Sequence, residues 1–526
     1  MKVLHSIWFT VFIIGISISL CGINTPYTGL YNANNNYAAL ASKNFLKFGF
    51  IKLNFLPTYY VGQMLPDPIP YYLHHPTLMF LFEALPYKLF GSSHWVVHVA
   101  PFVFVLGSLA ALFLLVRELT DERIAKWTVV FALLFPMMSF FWKYILFEQA
   151  SLFVSLMVIW LCVRYWKKGH PQLLLYITAA SFFGGAIDWY GAYIFFGLLY
   201  VLCIRRNARV VRSFAAYAIG ALLGLGTYGA ALYLTGNLHA AWEGYSARGL
   251  TSELTRLSFW PARLMVITIL RIFLYGSPLV FFGIWHWYRT IKKSGVCVRA
   301  VQSILLIIGT VSIFVLPSTV WGHSYFLYYL VPFLAFVTSV WFVRVWNTSP
   351  RLAVVCLLIQ IIWSMGVQCG KLYQVQKHTW KYAFGADIAG LIPAYSTIGV
   401  VEYPGDVLQN YYSIQTESFN SSFVDAWSKD ASHSSIRYIA VTCSNTACNT
   451  NETQFLERIK RRVYVHTFHY QDNTGWVLDA GMRPDMPEAG HMQELPYKPY
   501  RRPQGVLSPA EWLYRKIRDF LGSTQI

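Results

Sequence analysis

Through the first 370 positions, apolar residues run in long blocks separated by short polar connectors. The blocks lie at 7–22, 95–116, 127–142, 149–164, 173–188, 190–204, 213–235, 263–287, 300–319, 325–343 and 352–370. About 20 apolar residues rising about 1.5 Å each cross a hydrocarbon core ~30 Å thick. The pattern therefore predicts eleven transmembrane helices. The first block ends at Ser19-Leu20-Cys21, a poor cleavage site, and is expected to be a retained span.

Two stretches break this rhythm. Residues 22–93 form a first loop far longer than an ordinary connector. It is too rich in aromatic and aliphatic residues for disorder, which predicts short helices at the membrane interface. Beyond Gly370, polar residues become common and short alternating runs appear at 398–403, 438–442 and 463–468, with helical patterns at 386–391 and 451–462. Strands alternating with helices predict a small α/β domain. A Pro-rich segment from Pro484 to Pro503 follows. Ser508-Pro509-Ala510-Glu511 then opens an amphipathic helix carrying Trp512, Leu513, Phe520 and Leu521. The expected fold class is a mainly α, polytopic membrane protein of about eleven transmembrane helices with a small C-terminal α/β extracytoplasmic domain. Its expected domains are 1–370, with the loop 22–93, and 371–526.

Charge supplies orientation. With the N-terminus inside, the inner connectors hold Arg117, Arg123 and Lys126; Arg164, Lys167 and Lys168; Arg205, Arg206, Arg209 and Arg212; Arg289, Lys292, Lys293 and Arg299; and Arg344 and Arg351. The outer connectors near 143–148, 188–190 and 320–324 are almost free of Lys and Arg. All five inner loops agree with the positive-inside rule. The expected location is the plasma membrane, with a cytoplasmic N-terminus and an extracytoplasmic C-terminal domain. The net charge of +18 thus reflects membrane topology, and no nucleic-acid motif accompanies it. Of eight cysteines, only Cys443 and Cys448 form a close pair in a polar region. In an exported domain they are expected to be joined as a disulfide. No second pair follows to complete a zinc framework.

Ionisable groups at membrane depth are functional candidates. Glu148 opens the fourth block at its outer end and Asp188 closes the fifth at its outer end. Each is a candidate catalytic carboxylate, and each is equally a candidate helix cap. In the long loop, His74 and His75 stand before Pro76, which biases His75 to an extended backbone. Adjacent His side chains do not readily converge on one metal, so a ligand, a proton donor and a plain interfacial turn all stay open. Arg271 lies eight residues beyond Arg263, roughly 12 Å deeper and about 80° around a helix. Their guanidinium groups suit a phosphate or a protein carboxylate. His323 and Tyr325 add a polar rim at the start of the tenth block. Arg248 and Arg256 are weaker candidates. Carboxylates, His and Arg under a long interfacial loop suit a lipid phosphate whose tail stays in the bilayer. A carboxylate would activate an acceptor hydroxyl, and cations would stabilise the departing phosphate.

Several pieces together carry a family resemblance over about residues 1–345. They are Tyr37-Ala38-Ala39-Leu40-Ala41-Ser42-Lys43-Asn44-Phe45-Leu46-Lys47-Phe48-Gly49; Tyr72-Leu73-His74-His75-Pro76-Thr77-Leu78 followed by Leu89-Phe90-Gly91; Phe147-Glu148; Asp188-Trp189; and His323-Ser324-Tyr325 before Tyr329-Leu330-Val331-Pro332. In these the chain resembles the GT-C membrane glycosyltransferases, the superfamily of protein O-mannosyltransferases and bacterial aminoarabinose transferases. The resemblance implies transfer of one sugar from a polyprenyl-phosphate donor to a glycan, lipid or protein acceptor at the outer face. The expected substrate-binding residues are Tyr37, His74, His75, Arg263, Arg271, His323 and Tyr325. Contact with membrane lipid is implied too. A divalent metal is a candidate cofactor with no ligand set assigned. The family usually carries an acid just before the position of Tyr37, where this chain has Ala33, Asn34, Asn35 and Asn36. That leaves Asp188, Glu148 or Asp67 as base. The alternative is a non-catalytic protein of the same fold that binds or carries a lipid-linked glycan.

Overall fold

The structure, a computed structural model, describes residues 2–24, 32–91, 93–143, 147–189, 193–205, 207–246, 260–315, 324–376 and 380–392. Of the C-terminal region it describes 394, 396–401, 415–418, 438–444, 464–470 and 473–479. The helices are α1 (Lys2–Leu20), α2 (Asn32–Phe48), α3 (Leu78–Phe90), α4 (Val99–Leu119), α5 (Glu122–Leu134), α6 (Pro136–Ser139), α7 (Phe147–Lys168), α8 (Gln172–Ile187) and α9 (Tyr193–Ile204). They continue as α10 (Ala208–Leu234), α11 (Leu238–Ser246), α12 (Trp260–Tyr275), α13 (Leu279–Thr290), α14 (Val296–Val315), α15 (Val331–Thr348), α16 (Pro350–Gln376) and α17 (Trp380–Leu391).

Each expected apolar block coincides with helix among the described residues. Among the described residues, five helices are long and apolar enough to cross a membrane, or seven if each of two bent pairs is one span. Four shorter apolar helices account for the remaining blocks. Large apolar side chains such as Ile219, Leu222 and Leu223 on α10 and Leu358 and Ile362 on α16 stay exposed. Such a surface suits a lipid solvent rather than water.

Two blocks expected as straight spans are broken. The chain bends by 58° between α5 and α6, and by 112° between the helical stretches Leu264–Tyr275 and Leu279–Lys293. Pro136 explains the first: it has no N–H to donate, and it drives Phe135 to φ −70°, ψ 124°. At the second, Pro278 stands just before α13. Broken helices leave carbonyls that hydrocarbon cannot satisfy. Both breaks use one donor, since the Gln360 amide of α16 donates to Leu134 O at 3.2 Å and Gly276 O at 3.3 Å.

Close packing of α8 on α10 sets the end of α8. A Cβ at Gly224 would lie 2.1 Å from Phe182 O, and one at Gly220 2.2 Å from Thr178 O. Small residues permit this backbone approach. The long loop is folded rather than loose. From α2, Ala38, Ala41 and Phe45 join the main core, as do Leu53 in the connector and Met79 and Phe80 in α3. Ser42 Oγ donates to Phe80 O, and the Asn44 amide donates to Thr58 O and Tyr60 O.

The C-terminal region holds a five-stranded sheet in the order β2-β1-β3-β5-β4. Its strands are β1 (Thr397–Val401), β2 (Gln415–Ser418), β3 (Tyr438–Ser444), β4 (Tyr464–Tyr470) and β5 (Asn473–Asp479). β1 runs parallel to β2 and β3, while β5 is antiparallel to β3 and β4. The strands expected from the sequence are β1, β3 and β4; β2 and β5 are additional. The expected helix at 386–391 lies within α17. The helix at 451–462, the Pro-rich segment, the terminal amphipathic helix and Cys448 lie outside the described residues, as does the side chain of Cys443.

Candidate functional site

Asp188 follows the last turn of α8 with extended backbone, φ −163° and ψ 157°. Leaving the helix there turns its carboxylate inward, and its exposure is 0%. Oδ1 accepts from Trp189 N at 2.7 Å and lies 3.0 Å from His75 Nδ1. Ser151 Oγ, on α7, donates to Oδ2 at 3.5 Å. The Trp189 indole donates to His74 O at 2.9 Å. Two adjacent residues at the end of α8 thus hold the two adjacent histidines of the long loop.

The His75 ring is clamped. It lies 4.2 Å from Phe147 at an interplanar angle of 11°, and 6.0 Å from Tyr72 at 22°. Tyr72 packs on Tyr59 at 4.7 Å, and Tyr59 on Tyr37 at 4.6 Å. A column of rings therefore runs from Tyr37 of α2 to Phe147 at the start of α7. His74 meets Tyr72 edge to face, at 5.1 Å and 79°.

Glu148 is buried one residue beyond Phe147. It lies within electrostatic range of Asp188. Tyr328 is within range of Glu148, and Tyr329 of both carboxylates. Both tyrosines sit in the 3-10 segment Ser324–Leu330, between α14 and α15. The carboxylates expected at one height from different helices are thus neighbours. The histidine that meets Asp188 comes from the loop above them.

The other expected residues fall into two groups. Arg271 is buried in α12, one turn before Tyr275. The Tyr275 ring lies 5.1 Å from Phe141 and 5.6 Å from Lys371 Nζ, and Phe141 is 6.5 Å from Tyr325. Tyr325 and Tyr275 thus belong to one aromatic cluster through Phe141, and Arg271 precedes Tyr275 by one turn of α12. His323 and the side chain of Arg263 lie outside the described residues, with Arg248 and Arg256. Asp67, a candidate base, is exposed in the loop, unlike the buried pair.

The amides before Tyr37 hold structure. Asn35 and Asn36 are buried. Asn35 Nδ2 donates to Lys143 O at 2.5 Å, and Lys143 Nζ caps α1 through Ser19 O at 3.0 Å and Cys21 O at 2.5 Å. Among the described residues no group of three or more His, Cys, Asp or Glu side chains converges as for a metal ion. Asp188 already accepts from protein donors, and no resident metal is assigned.

Sequence reasoning missed Ser151, Tyr59, Tyr72, Tyr328 and Tyr329 as parts of this site. Ser151 had a signal: it is three residues beyond Glu148, hence on the same face of α7. Tyr72 and Tyr329 stood within motifs of the family resemblance without a role assigned, and Tyr59 and Tyr328 had no signal beyond being polar-tipped residues at the edges of apolar segments.

Among curated protein sequences none matches this chain. The family profile of dolichyl-phosphate-mannose-protein mannosyltransferase matches residues 74–231, from His74 through Asp188 into α10. In fold, the chain is similar to ArnT from Cupriavidus metallidurans bound to undecaprenyl phosphate, with a TM-score of 0.62 and 13% identity over 90% of this chain and 98% of that one. The apo form of ArnT gives a TM-score of 0.60 and 14% identity over 91% and 99% of the two chains. The oligosaccharyltransferase AglB from Archaeoglobus fulgidus, in complex with an inhibitory peptide and a dolichol-phosphate, gives 0.52 and 12% over 91% and 75%. The fold is that of the GT-C membrane glycosyltransferases.

Proposed function

We propose that this chain, a multi-pass membrane protein with the GT-C fold, is a glycosyltransferase. It moves one sugar from a polyprenyl-phosphate donor to a cell-envelope acceptor at the outer face of the plasma membrane. The observation that carries this reading is the 3.0 Å contact between His75 and Asp188 beside buried Glu148. It joins the interfacial loop to a carboxylate pair at one end of the bundle, where a lipid headgroup and a water-borne acceptor can meet. Solved structures of ArnT and AglB, with the same fold, hold undecaprenyl phosphate and a dolichol-phosphate respectively, which favours that donor class.

In this reading the donor phosphate lies toward Arg271, with Arg263 and His323 at the rim. Its departing charge needs cationic donors held in place in a dry site. Tyr37, His74 and Tyr325 line the approach. Glu148 orients the acceptor hydroxyl, and Asp188 serves its activation. The region beyond residue 370, with its mixed sheet, lies on the acceptor side.

The test is transfer in proteoliposomes. Purified protein is given a panel of radiolabelled polyprenyl-phosphate sugars and an envelope extract from cells lacking the protein. Label passing to extract, and lost in Asp188→Asn, supports the proposal. Donor binding with no transfer from any donor would favour the binding or carrier alternative.

A further inference from the structure

We propose that His75, not Asp188, takes the proton from the acceptor hydroxyl, and that Asp188 acts by holding His75 in the tautomer that can do so. This rests on the transferase reading above.

The buried carboxylate is poorly placed to meet a substrate. Its side chain has 0% exposure, while that of His75 has 24%. Its Oδ1 is engaged by His75 and Trp189 N, and its Oδ2 by Ser151. An acceptor hydroxyl could reach the remaining acceptor position on Oδ2 only by entering a place where the side chain exposes no surface. The imidazole stands in front of it. Nδ1 is the ring nitrogen turned to Asp188; in the tautomer proposed here it carries the hydrogen and donates it, which leaves a lone pair on Nε2. Stacking on Phe147 at 4.2 Å, with Tyr72 6.0 Å away, restrains the ring. Trp189 fixes the loop backbone at His74, and Pro76 restrains it after His75. A neutral imidazole oriented by a buried carboxylate is a suitable general base. The residues before Tyr37 offer only amides and an alanine, which accept no proton at neutral pH.

The step balances. The acceptor O–H proton passes to His75 Nε2 as the oxygen forms its bond to the sugar's anomeric carbon. The bond from that carbon to the donor phosphate breaks, and its electron pair leaves on the phosphate. The imidazolium then faces the Asp188 carboxylate until the proton is lost to water.

Three variants test this in the transfer assay. His75→Ala is expected to lower kcat by 100-fold or more, the usual range for general acid–base catalysis, with donor binding within a few-fold of normal. Added imidazole should restore part of that loss. Asp188→Asn should lower kcat comparably. Nitrogen-15 NMR of histidine-labelled protein, with His75→Gln identifying the signal, should show Nδ1 protonated in the unaltered protein and a changed tautomer balance in Asp188→Asn. Turnover within threefold of normal in His75→Ala overturns the proposal, as does a resting ring protonated on Nε2. If the unaltered protein transfers nothing, the transferase reading fails, while the NMR result still decides whether Asp188 sets the tautomer.

Discussion

Lys43 illustrates how burial sets the properties of single side chains here. It sits in α2 with its ammonium 5.5 Å from the Tyr87 ring. Burial pushes its pKa down from 10.5 to about 8, because desolvation disfavours the charged form. Below about pH 8 the folded state therefore carries a desolvated cation that the unfolded chain keeps in water. Between about pH 8 and 10.5 the folded form binds fewer protons than the unfolded one, so this group makes stability rise with pH. Lys43→Met should accordingly raise the Tm most below pH 8, with the gain shrinking toward pH 10.5. An unchanged difference across that range would refute the assignment. Glu83 in α3 follows the opposite sign, its pKa pushed well above the carboxylate range by burial. Arg271 is tested by binding. Arg271→Ala should weaken retention of polyprenyl phosphate by tenfold or more in a vesicle-partition assay, through loss of the buried positive charge toward which the donor phosphate lies. Equal retention would leave the guanidinium a structural role.

At the scale of elements, two packing devices hold the site in place. Gln360 satisfies carbonyls at both helix breaks from a third helix. Gln360→Leu keeps the volume and removes the amide donor that serves both breaks. It should lower stability by about 1–3 kcal/mol, the cost of leaving buried groups unsatisfied, read as a lower Tm in detergent. No shift would mean that the breaks find other donors. The α8–α10 contact is the second device. Even the methyl group of Gly224→Ala would overlap Phe182 O and force the helices apart. Overpacking of this kind costs about 1–3 kcal/mol. Because Asp188 follows directly on α8, the variant should also lower turnover more than donor binding. Full activity in Gly224→Ala would show that α8 can move without disturbing Asp188.

For the whole molecule, topology is the decisive prediction. Spans counted as five, as seven with the bent pairs, or as eleven with the shorter helices are odd in number in every case. With the N-terminus inside, each count puts the chain after α16 outside. A reporter active only in the cytoplasm, fused after Leu391, should be silent, and one active only after export should be bright; the reverse pattern would overturn the orientation. The sequence by itself determined the apolar blocks, the long loop, three of the strands and the presence of carboxylates at the outer ends of two blocks. These are set by local composition and periodicity, which neighbouring chain segments do not alter. Only the tertiary structure decided that His75 meets Asp188 across 113 positions and that Asp188 is sealed behind it. It likewise decided that Gln360 serves two helix breaks. Such pairings depend on which distant segments approach one another, and no local period encodes that. The breaks lie between: Pro136 and Pro278 were visible, but a proline in an apolar block bends or passes depending on whether another helix supplies a donor.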